Sequence, residues 1–317
     1  MRDDAVSYVV RTNDLSKQVA GKNIIVRLNM QVRQGEIYGL IGSNGSGKTT
    51  LFKLLTGLWK PLSGEIELFG RRIGHRSYQH FQQVGCLIGT PRFYERMSGR
   101  ENLELHCKYM GYYDERVVDE AIELLDLGGV AGKPVHTYSL GFTKKLGLAR
   151  AIMLKPPLLI VDEPANGIDT IGIHMLRHVF RNLNQQYGMS IVISSHHMGE
   201  LEQMADTVGI LREGRLMKEA SMTHIREAHT GYLEVRTSDC KKAVALLDTL
   251  LDITKYLVIG PNTIRIYESS LDSAMIVKTL VMHDVKIDEI THNSHTLEDF
   301  FIRMMEGKDR DDSSDET

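Results

Sequence analysis

The chain has 317 residues, of which 42% are hydrophobic, so it is long enough for one large domain and a second, smaller one. Its 38 basic and 41 acidic side chains leave a formal net charge of -3, which excludes the strongly basic surface typical of many nucleic-acid-binding proteins. The cysteines, Cys86, Cys107 and Cys240, lack the CxxC spacing of a zinc or redox site, and their small number fits a reducing cytoplasm.

Targeting signals also bear on the location of the chain. The N-terminal segment MRDDAVSYVV has no cationic start followed by an apolar core. No stretch of about 18 uncharged apolar residues occurs. We therefore expect a cytoplasmic protein that neither crosses a membrane by itself nor carries the usual secretion signal.

The first part of the chain predicts an α/β fold. Residues 24–32 alternate between apolar and polar side chains, and residues 64–73 indicate a hairpin that turns at Gly70. Both are predicted as half-exposed antiparallel strands. LLIVD (158–162) and MSIVIS (189–194) are apolar throughout, as buried parallel strands are.

The chain is predicted to divide near residue 220, where the composition changes. Residues 1–220 form the first domain, and apolar residues three or four apart predict a helical insert at about residues 90–155. The order strand, helix, strand, strand, helix, strand then predicts a small α+β domain of the ferredoxin-like type over residues 221–305. Residues 306–317 are polar and mostly acidic, which predicts a disordered tail.

The stretch IGSNGSGKTT (41–50) lies between a predicted strand and a predicted helix, and it matches the phosphate-loop pattern GxxxxGK(S/T). Glycines allow consecutive backbone N–H groups to face one anion, and the following helix adds its positive end. We expect Lys48 to reach the β- and γ-phosphates of a nucleotide and Thr49 to hold Mg²⁺. The residues expected to bind the phosphates are Gly42, Ser43, Asn44, Gly45, Ser46, Gly47, Lys48, Thr49 and Thr50. The alternative interpretation is a tight strand-to-helix turn.

Polar residues at three later positions suit the same chemistry. Asp162 and Glu163 follow a buried strand, where one carboxylate can hold Mg²⁺ and the second can polarise a water molecule. Ser139 and Gly141 begin a predicted helix whose free N–H groups suit a phosphate, although Ser139 as a plain helix cap is equally expected. His196 ends another apolar strand, where its imidazole can hydrogen-bond a phosphate.

The order of these motifs resembles that of ATP-binding cassette (ABC) transporter subunits. SNGSGKTT resembles the Walker A motif, YSLGF the family signature, LLIVDEP the Walker B motif with its glutamate, NGID the D-loop, and SSH the switch histidine. The resemblance covers residues 1 to about 220. The phrases GEIYGLIG, SGRENL, LGLARAIM and LEDFF resemble the drug-export and peptide-immunity branch, which includes bacitracin and lantibiotic self-protection subunits.

This resemblance implies an ATPase that works as a pair of nucleotide domains facing each other head to tail. ATP and Mg²⁺ bound by one domain are then capped by Ser139 and Gly141 of the other. Glu163 orients the attacking water, His196 contacts the γ-phosphate, and Asp169 links the two sites. The implied partners are a separate transmembrane permease and a second nucleotide-binding subunit, either the same chain or a related one, at the inner face of the cell membrane.

Two positions depart from the family pattern. Gly89 stands where the family has Gln or Glu, and Gly has no side chain to touch Mg²⁺ or water. The loop either couples to the permease through its backbone or belongs to a site that hydrolyses ATP slowly. Val19 stands where the family stacks an aromatic ring on adenine, so Val19 is expected to pack on the base more weakly.

The main functional hypothesis is therefore an ATP-hydrolysing subunit that powers an exporter of a drug or antimicrobial peptide. The alternative is an ATP-binding regulatory or scaffold subunit with little hydrolysis. A cassette ATPase acting on nucleic acid is disfavoured, because the chain has one cassette and no heptad repeats. Basic pairs such as Lys144 and Lys145 are expected to be solvated rather than to bind nucleic acid.

Overall fold

The computed structural model describes residues 7–74, 78–112, 114–228, 232–267 and 272–293. The chain forms two compact units, Met1–Ser221 and Met222–Thr317. The strands of the first unit are β1 Tyr8–Val19, β2 Lys22–Arg33, β3 Ile37–Ile41, β4 Ser63–Leu68, β5 Arg71–Arg72, β6 Val84–Leu87, β7 Leu158–Asp162, β8 Ser190–Ser195, β9 Thr207–Arg212 and β10 Arg215–Ser221. Its helices are α1 Lys48–Leu55, α2 Tyr78–Phe81, α3 Gly99–Tyr109, α4 Arg116–Leu124, α5 Leu140–Ile152, α6 Thr170–Tyr187 and α7 Met198–Glu202.

A mixed sheet forms the centre of the first unit. Its strands, as far as the structure describes them, have the order β10-β9-β3-β8-β7-β6. Strands β9, β3, β8, β7 and β6 pair in parallel, and β10 pairs antiparallel with β9. Every residue of β3, β7 and β8 is buried, because helices or loops cover both faces of a parallel sheet. The prediction of buried parallel strands at LLIVD and MSIVIS is confirmed.

An antiparallel sheet with the order β2-β1-β4-β5 carries the half-exposed strands. Gly70 turns the β4–β5 hairpin with a φ of 73°, a conformation that glycine adopts without strain. The predicted antiparallel strands are therefore confirmed. Helix α1 buries Leu51, Phe52, Leu54 and Leu55 in a core that also contains residues of β1, β2 and β7. Each such side chain stabilises the fold by about 1.5–3 kcal/mol, so the start of α1 is held firmly.

Helices α3, α4 and α5 occupy the chain between β6 and β7. Helix α3 begins with a capping box in which Ser98 Oγ accepts from the Glu101 N–H and the Glu101 carboxylate accepts from the Ser98 N–H. Helix α6 has 18 residues, yet buried positions lie on one side of it only. None of the described helices combines the length and the apolar character needed to cross a bilayer.

The second unit has its own core. Its elements are α8 Met222–Ala228, β11 Tyr232–Thr237, α9 Cys240–Leu251, β12 Tyr256–Ile259, β13 Thr263–Ile266, α10 Ser273–Met282 and β14 Ile287–Asn293. The strands pair antiparallel in the order β12-β13-β11-β14, and apolar residues of α9 and α10 share their core. The predicted final helix, TLEDFFIRMM, and the predicted tail at 306–317 lie outside the described residues.

Candidate active site

The candidate site lies where three neighbouring strands end. Because β3, β8 and β7 are adjacent and parallel, their carboxyl ends meet at one edge of the sheet. The loop 42–47 follows β3, Asp162 and Glu163 stand at the end of β7, and His196 follows β8. Ligands bind at this edge in open α/β sheets, so the topology alone brings together side chains that are far apart in sequence.

The loop between β3 and α1 has the geometry of an anion cradle. Gly45 and Gly47 have φ values of 82° and 113°, which L side chains adopt only with strain. A Cβ atom at Gly42 would lie 2.5 Å from Ser46 Oγ and 2.6 Å from the Leu211 carbonyl oxygen, so the loop closes only around glycine. No described side chain caps α1, which leaves its first N–H groups free to bind an anion.

A cavity of about 560 Å³ opens in front of this loop, a volume suited to a nucleotide-sized ligand. Ser46 Oγ is buried in the loop and has no hydrogen-bond partner among the described residues. Such an unpaired polar atom is costly unless a ligand or water pairs with it, so the loop fits a phosphate. The cavity is lined by the loop residues 43–50 and by Val19, Ala20, Lys22, Ile24, Trp59 and Glu163.

The Glu163 carboxylate lies between two basic side chains. Lys48 Nζ is 3.2 Å from Glu163 Oε1, and it also donates to the carbonyl oxygens of Gly42 at 2.5 Å and Ser43 at 3.4 Å. On the other side, His196 Nδ1 donates to Glu163 Oε2 at 2.7 Å. The structure therefore brings two of the predicted residues, Lys48 and His196, into direct contact with a third, Glu163.

The backbone of Glu163 is held in an unusual conformation. Its φ of 48° lies in the left-handed region, which costs a non-glycine residue about 1–2 kcal/mol. The Glu163 N–H donates to Ser194 Oγ at 3.0 Å, and Lys144 Nζ donates to the Glu163 carbonyl oxygen at 3.0 Å. These two hydrogen bonds fix the peptide groups before and after Glu163 and hold its carboxylate at the cavity. Strained residues held by their surroundings are common at functional sites.

The expectation of a solvated pair at Lys144 and Lys145 is wrong for Lys144. This residue of α5 is 9% exposed, and burial lowers the pKa of its ammonium group. The neighbouring carboxylates of Glu163 and Asp162 partly offset that shift. The sequence does not reveal this role, because the contact joins Lys144 in α5 to Glu163 at the end of β7, 19 positions further along the chain.

The residues predicted to hold Mg²⁺ also lie together. Asp162 Oδ2 accepts from Thr49 Oγ1 at 2.7 Å, and Asp162 Oδ1 accepts from Ser194 Oγ at 2.7 Å. Asp162 is only 6% exposed, so little water competes for its carboxylate. The two hydrogen bonds therefore fix the orientation of that carboxylate. A threonine hydroxyl and a carboxylate are oxygen ligands of the kind Mg²⁺ prefers, and the donor set therefore fits this ion.

Ser139, Gly141 and Asp169 lie in a different part of the unit. Ser139 Oγ caps α5 by accepting from its first turn at 3.3 Å, and Asp169 caps α6 in the same way at 2.8 Å. A Cβ at Gly141 would lie 3.1 Å from the Gly167 carbonyl oxygen, so these two segments are neighbours. Of the described residues that line the cavity, none belongs to this group.

The two residues that depart from the family pattern, Val19 and Gly89, have different surroundings. Val19 lines the cavity and is 36% exposed. Gly89 has a φ of 65°, and no described atom lies within 4 Å of the Cβ position that a substitution would add. The left-handed backbone gives a physical reason for glycine at position 89, because it is strained for any other residue.

Sequence reasoning missed Ser194 and Trp59. Ser194 is buried at the end of β8, where its hydroxyl joins Asp162 to the Glu163 N–H. Its position just before the predicted His196 was the only signal for this role. Trp59 lies in the turn after α1 and lines the cavity, although the sequence offers no pattern that points to it.

A looped backbone with a free helix N-terminus, a lysine and an adjacent acidic pair is the apparatus with which phosphate-loop proteins bind and split nucleotides. Comparison with known proteins supports this class and identifies a family within it. The sequence profile described as ABC transporter matches residues 25–166. The chain is 44% identical to the uncharacterized ABC transporter ATP-binding protein YcbN of Bacillus subtilis (strain 168), over 95% of this chain and 98% of that one.

Two further similarities agree with this result. The bacitracin transport ATP-binding protein BcrA of Bacillus licheniformis is 37% identical, over 95% of this chain and 99% of that one. A solved structure of an ATP-binding subunit of an ABC transporter superposes with a TM-score of 0.64 at 29% identity, covering 69% of this chain and 92% of that one. The chain belongs to the ABC transporter ATP-binding proteins, a family of ATPases. The resemblance inferred from the motifs is thus confirmed.

Proposed function

We propose that the cavity binds ATP with Mg²⁺ and that Glu163 activates the water that hydrolyses it. The observation that carries this proposal is the Glu163 carboxylate, held at the cavity between Lys48 Nζ and His196 Nδ1. The amides of loop 42–50 cradle the phosphates, and Lys48 neutralises the β- and γ-phosphates. Thr49 and Asp162 hold Mg²⁺, which when bound draws charge from the phosphate oxygens.

The reaction is a transfer of the γ-phosphoryl group to water. The water oxygen adds to the γ-phosphorus while the bond to the β–γ bridging oxygen breaks, which yields ADP and inorganic phosphate. Glu163 orients the water and accepts its proton, because its fixed backbone aims the carboxylate into the cavity. His196 holds the carboxylate through one hydrogen bond and contacts the γ-phosphate.

The proposed catalytic unit contains two copies of the cassette. Ser139 and Gly141 begin α5 outside the residues lining the cavity of their own chain, and the helix N-terminus presents N–H groups suited to phosphate. We place these residues against the ATP of a second nucleotide-binding subunit, either the same chain or a related one. Asp169, next to this helix start, links the two sites across the interface. Val19 packs on the base.

The transported compound is proposed from similarity at the level of the whole chain. BcrA is named a bacitracin transport ATP-binding protein, and it aligns over almost its full length. We infer that this chain powers a separate transmembrane permease that exports a peptide antibiotic of the bacitracin type. The chain then works at the inner face of the cell membrane, where ATP is available.

A surface of the helical insert suits the permease. A cavity of about 260 Å³ is lined by Arg92, Phe93, Tyr94, Tyr109 and Arg150, among others. Tyr109 is 71% exposed at the end of α3, and exposed aromatic side chains beside arginines are typical of interaction sites. We assign this surface to an acidic or apolar cytoplasmic segment of the permease.

The second unit is proposed to be an accessory domain of the ferredoxin-like type that begins near residue 221. Its element order is strand, helix, strand, strand, helix, strand from β11 to β14, and its sheet places β11 between β13 and β14. Both features belong to that fold. The cassette with its helical insert is correspondingly assigned to residues 1–220.

Export is tested by reconstituting the chain with its permease in lipid vesicles. Bacitracin is expected to stimulate ATP hydrolysis, and Tyr109→Ala is expected to weaken permease binding at least about tenfold because it removes an exposed aromatic anchor. Basal ATP hydrolysis by purified Tyr109→Ala chain should stay unchanged. Stimulation by DNA or RNA instead of bacitracin and permease would contradict the proposed function.

Gly89 distinguishes a hydrolytic subunit from a regulatory or scaffold subunit that binds ATP with little turnover. Gly89→Gln introduces the amide of the family pattern, and no described atom lies within 4 Å of the Cβ that the substitution adds. The positive φ makes the substitution cost about 1–2 kcal/mol of stability. We expect faster hydrolysis or a changed Mg²⁺ dependence, measured as steady-state phosphate release against Mg²⁺ concentration.

The matched control is Gly89→Ala, which carries the same backbone strain without the amide. Equal rates for the Gln and Ala variants would show that the loop acts through its backbone alone. Wild-type chain that pairs on ATP but shows negligible turnover beside its permease would favour the regulatory function. In that case, a higher rate of ATP hydrolysis in Gly89→Gln would show that the absence of a side chain at position 89 causes the low turnover.

A further inference from the structure

The base-binding end of the cavity lacks the aromatic ring that the resemblance leads one to expect at position 19. Val19 covers only a small apolar area, yet an aromatic side chain from another part of the fold lines the same cavity. This side chain is Trp59, the single tryptophan of the chain. It reaches the cavity from the turn after α1, whereas Val19 reaches it from the end of β1.

The indole of Trp59 is held in place by its surroundings. The backbone N–H of Trp59 donates to the Lys53 carbonyl oxygen at 2.9 Å, which fixes the main chain that carries the ring. Lys53 Nζ lies 4.5 Å and Lys17 Nζ 5.8 Å from the ring centroid, within range of a cation–π interaction. Lys17 is itself fixed by donating to the Lys60 carbonyl oxygen at 2.6 Å. The ring is therefore pre-organised, with positive charge over it.

The indole of Trp59 is only partly buried in the core. Trp59 packs against the buried cluster under α1 but remains half-buried, and it also borders a neighbouring cavity of about 490 Å³. An amphipathic ring at the rim of a cavity offers a flat apolar surface with its position already fixed. A nucleotide bound through its phosphates at loop 42–50 would present its base to the apolar part of the same cavity.

We propose that Trp59 packs against the nucleotide base and supplies the aromatic contact that Val19 does not. This inference rests on the proposed nucleotide binding, and it adds a residue that sets the affinity for the base. The phosphates are bound by the loop and Lys48, whereas the purine ring is bound by Trp59 with Val19 and Ile24. Base and phosphate binding are therefore separable by mutation.

The single tryptophan allows a direct test on the unmodified full chain. Titration with ATP should change the intrinsic tryptophan emission with saturation at the Kd measured by calorimetry. Titration with inorganic tripolyphosphate, which has the charges but no base, should bind without reproducing that change. An unchanged emission at ATP saturation, or an equal change with tripolyphosphate, would overturn the proposal. Absence of any ATP binding heat would instead contradict the proposed function itself.

Variants give an independent test by calorimetry. Trp59→Ala should raise the ATP Kd at least about fivefold, since stacking on an aromatic ring contributes about 1–3 kcal/mol per base. The Kd for tripolyphosphate should stay within about twofold, and Trp59→Phe should restore most of the ATP affinity. The control is Leu58→Ala, because Leu58 is an exposed neighbour outside the cavity lining. An ATP Kd in Trp59→Ala equal to that of Leu58→Ala would refute the role of Trp59.

Discussion

Glu163→Gln is expected to lower the rate of ATP hydrolysis by about 10²–10⁴-fold, the usual contribution of a general base. Gln keeps the shape of the side chain, so its Oε1 can still accept from His196 Nδ1. It cannot accept the proton of the attacking water. The rate is measured by single-turnover phosphate release, which separates the chemical step from nucleotide binding.

ATP binding by Glu163→Gln should be retained or become tighter. The carboxylate of Glu163 lines the cavity that receives the phosphates, so the substitution removes a negative charge that repels them. ATP-bound pairs should then accumulate and be visible by size-exclusion chromatography.

The matched control for this substitution is Glu200→Gln. Glu200 Oε2 accepts from Ser195 Oγ at 2.9 Å, a bond that the amide oxygen can replace, and Glu200 does not line the cavity as described. Its turnover should equal that of the wild type. Normal turnover in Glu163→Gln would contradict the assignment of Glu163 as the water-activating residue, whatever the behaviour of the control.

The sequence predicts those parts of the site that depend on short segments. The loop 42–50 is readable because glycine, lysine and a following helix occur in one continuous stretch. Asp162 and Glu163 are readable because a buried strand precedes them and parallel strands end at one edge. The structure then confirms the parallel strands and shows that Lys48 and His196 both contact Glu163.

Contacts between distant segments are not visible in the sequence. Lys144 resembles a surface lysine in its helix, and only the fold places it against the Glu163 carbonyl oxygen. Trp59 stands in a turn without any periodic pattern, and only the packing of α1 against β1 and β2 brings it to the cavity. The left-handed φ of Gly89 depends likewise on the loop that surrounds it.

Lys48→Ala is expected to raise the ATP Kd by at least about 100-fold, equivalent to about 2.7 kcal/mol, as measured by calorimetry. The Lys48 side chain is 6% exposed, so its ammonium group provides charge-assisted hydrogen bonds in largely desolvated surroundings, where they are strongest. Its loss also leaves the Glu163 carboxylate without its partner at 3.2 Å, so that carboxylate then repels the incoming phosphates.

Lys48→Met separates the loss of charge from the loss of packing, because the Met side chain fills most of the space of the lysine stem. We expect it to weaken ATP binding as much as Lys48→Ala does while destabilising the fold less. Lys60→Ala is the control, since Lys60 is exposed in the turn after α1 and outside the lining of the phosphate-loop cavity. Wild-type ATP affinity in a folded Lys48→Met chain would show that the phosphates are bound elsewhere, and the assignment of loop 42–50 would then fail.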